Sequence, residues 1–122
     1  MSIYDAVGGT PTFERLVDSF YEGVQTDPVL RPMYPEELTE SRRRLALFLI
    51  QYFGGPTTYS DERGHPRLRQ RHLGFSIGSA ARDAWLFQMT RALAMLQLPT
   101  TEHDEMLRYF TDAATFLINR PG

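Results

Sequence analysis

Residues 13–24 read FERLVDSFYEGV. Apolar side chains fall at Phe13, Leu16, Val17, Phe20, Tyr21 and Val24. With about 3.6 residues per turn, those positions share one face of a helix, whereas a strand would scatter them over both faces. The stretch therefore predicts an amphipathic helix. Thr10-Pro11, just upstream, is the expected N-cap and first helical position.

The same period recurs downstream, while alternation at period two is scarce. A helix is expected from about Thr39 to Phe53, with Leu45, Phe48, Leu49, Tyr52 and Phe53 inward and Arg42, Arg43 and Arg44 near its start. Gly54-Gly55-Pro56 ends it. Ser79 is expected to cap a helix reaching about Leu98, with Trp85, Met89, Ala92, Leu93 and Leu96 inside. Beyond Pro99, Thr101 to Asp104 has capping-box spacing, and Leu107, Phe110, Ala114, Leu117 and Ile118 form the final stripe.

Shorter pieces fill the gaps. Ser2 to Asp5 opens a turn that Gly8-Gly9 stops. Asp27-Pro28 starts a short helix, Pro32 to Pro35 makes an irregular corner, and Pro66 opens a short helix reaching His72. Residues 54–64 and 74–78 read as loop. No repeat or linker divides the chain, so the expectation is an all-α fold in a single domain over residues 1–122.

Composition narrows the function. A net charge of -2 gives no global field for nucleic acid or an anionic membrane. All thirteen cationic residues are Arg, which points to a GC-rich bacterial genome. The absence of Cys excludes disulfides, thiolate metal sites and cysteine catalysis. MSIYDAVGG lacks a signal-peptide pattern and no apolar run is long enough to span a bilayer, so a cytoplasmic location is the default.

The stretch RGHPRLRQRHL at 63–73 holds two of the three histidines and four arginines. As a nucleic-acid patch it is weak, because helical arginines at 67, 69 and 71 project in several directions. As a two-histidine metal site it fails on spacing: seven residues along a helix is ~10 Å, and one metal with ~2 Å ligand bonds does not bridge that. One histidine alone is more often a satisfied surface or core-edge residue. His72, however, ends a short helix outside the main core elements, beside Leu68, Leu73 and Phe75. A single neutral imidazole in an apolar, helical, cysteine-free chain meets one requirement for proximal haem ligation.

Spaced motifs decide among these readings. YDAVGG at 4–9, FYEGV at 20–24, MYPEEL at 33–38, FLIQYFGGPTTYS at 48–60, GHPRLRQRH at 64–72 and RDAWL at 82–86 run along nearly the whole chain. In order and spacing they resemble the truncated haemoglobins, the 2/2 globins, and among them the bacterial group II (O-type), including its actinobacterial members. GHPxLRxRH, with the Trp of DAWL thirteen residues after the histidine, is the most diagnostic pair.

The resemblance implies a two-over-two helical sandwich around haem b. It makes His72 the proximal iron ligand, Tyr21 and Tyr34 distal phenols, and Trp85 the tryptophan over the haem. Ser41 falls where other globins place a distal histidine, with Leu45 one turn later. Arg44 and Arg71 become the leading propionate partners, with Tyr59 or His65 behind them. Phe48 and Phe75 line the macrocycle. Tyr21, Tyr34 and Trp85 each offer a hydrogen-bond donor, and each bond to a charged acceptor contributes ~1.5–3 kcal/mol. His103, Arg67 and Arg69 have no matching role and read as surface, as do most of Arg42 to Arg44.

The expected function is binding of O2 and other diatomic ligands, with redox chemistry such as NO dioxygenation or a peroxidase-like reaction. Expected partners are O2, CO, NO or peroxide and an unidentified reductase, with a homodimer left open. The alternatives are O2 storage or delivery, gas sensing, and a haem-free helical interaction module.

Overall fold

The computed structural model describes residues 1–121, without the side chain of Arg69. In chain order the helices are α1 (Ile3–Ala6), α2 (Thr10–Thr26), a 3-10 turn (Arg31–Met33), α3 (Thr39–Tyr52), α4 (Thr58–Arg63), α5 (Leu68–Arg71), α6 (Ser79–Met95) and α7 (Thr100–Phe116). Strands are absent among the described residues. The pairs α2–α3 and α6–α7 each pack together, and α2 joins them by packing on α6. This is the two-over-two arrangement of a truncated globin.

The stripe on α2 drives the assembly. Phe13, Leu16, Phe20 and Val24 are fully buried, meeting Leu49 of α3, Met89, Ala92 and Leu93 of α6, and Met106 and Phe110 of α7 in one core. Gly23 of α2 leaves room for the Gln88 and Arg91 side chains of α6. A Cβ there would lie 1.9 Å from Gln88 Oε1, and Gln88 is itself bonded to Asp27 and Arg91. At the other end, Gly8 and Gly9 take φ of 107° and 74°, a left-handed pair that stops α1 and turns the chain into α2.

Several boundaries differ from expectation. Residues 58–63, read as loop, form α4. The Gln51 side chain donates to Ser60 Oγ and accepts from the Ser60 N–H, and Arg43 grips Glu62 through two bonds. Tertiary contacts thus make a helix from a Thr/Ser/Asp-rich stretch. The short helix expected at Asp27-Pro28 is instead a turn, with Asp27 Oδ1 accepting from Val29 and Leu30, and helical geometry begins only at Arg31. Gly9, Gly78 and Pro99 occupy the N-caps assigned to Thr10, Ser79 and Thr101, and none of the three helices has a side-chain cap bond. The Ser2 cap of α1 is as expected. Tyr52, expected inside, is 54% exposed and stacks on Tyr109 at 4.0 Å.

Burial sorts the aromatics by consequence. Phe13→Ala should lower stability by about 3–5 kcal/mol, whereas Phe87→Ala, at a residue 65% exposed, should leave it within about 0.5 kcal/mol. Denaturant unfolding of the two variants checks the contrast, and comparable losses would contradict this packing.

Candidate functional site

A cavity of about 510 Å³ opens between the two helix pairs. Its walls come from α2, the 33–35 corner, α3, α4, α5, the 75–77 segment, α6 and α7. Eleven of the expected residues line it: Tyr21, Tyr34, Ser41, Arg44, Leu45, Phe48, Tyr59, Arg71, His72, Phe75 and Trp85. A separate polar cleft beside the start of α3, lined by Arg31, Glu37 and Arg42 among others, contains none of them.

His72 stands on one side, just past the end of α5. Its Nδ1 lies 2.6 Å from the Leu68 carbonyl. A carbonyl only accepts, so Nδ1 carries a proton, and in the neutral ring Nε2 keeps its lone pair. Four residues are too few for a self-sustaining helix, and external contacts hold α5. Arg67 enters it in the left-handed region at φ 45°, its N–H donating to His65 Nδ1 at 3.2 Å. His65 thereby fixes the loop and does not line the cavity. Arg71 donates to the Pro66 carbonyl at 2.7 Å and the Arg63 carbonyl at 2.9 Å. These bonds close the 63–66 loop and hold Arg71 at the cavity wall.

The donor cluster lies where α2, the corner and α6 meet. Tyr21 and Tyr34 meet edge to face with ring centroids 5.6 Å apart. Burial pushes the Tyr21 phenol up to about 12, against the pull of Arg44 and Arg42 and a side-chain hydrogen bond with Ser41. Burial also raises Tyr34, the neighbouring Tyr21 adds to the rise, and a side-chain hydrogen bond with Trp85 opposes it. An indole only donates, so in that pair the Tyr34 oxygen is the acceptor. Arg31 fixes the corner that carries Tyr34, donating to the carbonyls of Pro35 at 3.0 Å and Glu36 at 2.9 Å.

Of the three consecutive arginines, only Arg44 lines the cavity, and it forms no ion pair or hydrogen bond among the described residues. Arg42 pairs with Asp18 and lies 5.8 Å over the Tyr21 ring, and Arg43 pairs with Glu62. Leu73, expected beside His72, is 64% exposed and outside the cavity. Arg67 is exposed as expected, and the side chain of Arg69 lies outside the described residues. His103 pairs with Asp104 on α7, away from the cavity. Arg63, Ile77 and Tyr109 are among the further lining residues that the sequence did not assign to the site. Burial raises the Tyr109 phenol and Tyr52 adds to it. The helical period gave an available signal only for Tyr109.

The family model for bacterial-like globins matches residues 2–119. The chain belongs to the bacterial-like globins. Within them it is similar to group 2 truncated haemoglobin YjbI of Bacillus subtilis (strain 168), at 48% identity over 74% of this chain and 67% of that one. Among solved structures it is similar to a thermostable haemoglobin from the actinobacterium Thermobifida fusca, at 51% identity, full coverage of both chains and a TM-score of 0.97. A truncated oxygen-avid haemoglobin from Bacillus subtilis matches at 39% identity over 98% of this chain and all of that one, with a TM-score of 0.93. Bacterial-like globins are haem b proteins that bind diatomic ligands, and the group II truncated form is the one this globin resembles.

The raised phenols of this globin have a measurable consequence. Above pH ~10 the unfolded chain releases tyrosine protons that the folded chain keeps. The stability contributed by Tyr21 is therefore complete below pH ~10 and lost as pH rises toward about 12. Unfolding titrations at stepped alkaline pH should show this decline, shallower in Tyr21→Phe. A flat profile in the parent protein would contradict a buried, protonated phenol.

Proposed function

We propose that the cavity holds haem b, with His72 as the proximal ligand through Nε2, and that the protein binds O2 tightly and uses it in redox chemistry. The observation that carries this reading is the His72–Leu68 hydrogen bond, because it leaves one unprotonated ring nitrogen at an apolar cavity. The rest of the lining fits the group. Leu45, Phe48 and Phe75 offer apolar faces to a macrocycle, and Arg44 and Arg63 are cations at hand for its propionates. Arg71 joins them only with the guanidinium N–H groups that the 63–66 loop leaves over.

Haem iron supplies the diatomic-ligand binding and the redox chemistry. The chain's own residues supply orientation, proton donors and exclusion of water. The hydroxyls of Tyr34, paired with Trp85, and of Tyr21, paired with Ser41, are the donors that this wall of the cavity offers. These donors sit in a low-dielectric space, where they stabilise a diatomic ligand that takes up negative charge. Such a network slows O2 release and suits oxidation over delivery, in keeping with the oxygen-avid relative. NO dioxygenation, in which NO, O2 and one electron give nitrate, is the favoured reaction, with peroxide-driven oxidation second. Either turnover draws its electrons from a reductase partner or a reducing substrate.

His72→Gly should abolish the five-coordinate ferrous spectrum, and added imidazole should restore it. An unchanged spectrum would remove His72 as ligand, and a purified parent protein without a Soret band would favour the haem-free module. Trp85→Phe should speed O2 release about tenfold, the equivalent of one lost charge-assisted hydrogen bond. Stopped-flow O2 displacement checks this, and parent-like kinetics would reduce Trp85 to packing.

A further inference from the structure

The segment after His72 has little to hold it by burial. Leu73, Gly74, Phe75 and Ser76 are all exposed, and α5 before it is a single turn. Polar contacts from the far end of the chain take over. Asn119, just beyond α7, donates from Nδ2 to the His72 carbonyl at 3.2 Å and the Phe75 carbonyl at 2.8 Å. Its Oδ1 accepts from the Ile77 N–H, and its own N–H donates to the Ile77 carbonyl, both at 2.9 Å. Arg120 extends the clamp by donating to Ser76 Oγ. All three polar positions of the Asn119 amide are thus used on the six-residue stretch that begins with His72.

We propose that Asn119 is a positioning residue for the proximal histidine, and that the C-terminal segment sets how firmly His72 holds the haem. The proposal rests on the haem reading above. The His72 backbone is held at both ends: Leu68 O accepts from its N–H at 3.1 Å, and its carbonyl accepts from the Phe75 N–H at 3.0 Å and from Asn119. Leu68 O also aims the ring. Rotation of the His72 peptide would swing that ring, and Asn119 is the contact that ties the peptide to the packed helix α7. Partners that orient a metal ligand without touching the metal carry a large share of its affinity.

Two variants separate positioning from general stability. Asn119→Ala removes all three side-chain bonds. Asn119→Asp keeps the acceptor for Ile77 and loses both donors to the His72 and Phe75 carbonyls. In the ferrous holoprotein both should shift and broaden the iron–histidine stretching band in resonance Raman spectra. Both should also speed haem transfer to excess apomyoglobin by about tenfold, while the bound-CO stretching frequency, set by Tyr21, Tyr34 and Trp85, stays put. A lowered Tm with an unchanged iron–histidine band and haem-transfer rate would overturn the proposal. If Asn119→Ala does not fold, Asn119→Asp decides by the same two readouts. An iron–histidine band missing from the parent protein would overturn the haem reading together with this one, whereas a normal parent band and indifferent variants would overturn this one alone.

Discussion

One hydrogen bond fixes how the His72 ring meets the cavity. With Nδ1 of His72 committed to the Leu68 carbonyl at 2.6 Å, the imidazole has one tautomer and one free lone pair. The structure invests heavily in the elements around that ring because α5 is too short to stand alone. Arg71 closes the loop before it, Arg67 accepts a left-handed backbone, and Asn119 ties the chain after it to α7. The same contact leaves the other residues to solve a separate problem on the facing side.

That problem is to keep polar hydrogens dry and pointed. Tyr21 and Tyr34 are carried by different elements, and each phenol oxygen has a partner of its own, Ser41 for one and Trp85 for the other. Desolvation then works in favour of function. It raises both phenols, so they stay protonated into the alkaline range, where an exposed tyrosine would ionise. Arg42 and Arg44 oppose the rise and moderate it at Tyr21 without reversing it.

Legibility in the sequence followed the reach of each signal. The stripes on α2, α6 and α7 were readable because burial imposes a helical period on residues close in sequence. Eleven lining residues were readable because spaced motifs carry a shared architecture. What escaped depends on contacts between distant positions. α4 is helical through Gln51 and Arg43, neither of which its own residues reveal. The bonds from Arg71 to the 63–66 carbonyls have no local pattern that announces them. Asn119 lies 47 residues from His72, and no local pattern links an Asn after the last helix to a ring before the sixth.

The placement of Trp85 has a further use. It is the sole tryptophan of the chain, and it sits on the cavity wall between Phe20 and Phe110, at centroid distances of 5.5 and 6.0 Å. Every photon of indole emission therefore originates beside the cofactor space, where a bound porphyrin quenches it by energy transfer. The intrinsic fluorescence of this globin is thus a built-in occupancy gauge, dark when loaded and bright when empty, with no other indole to blur the signal.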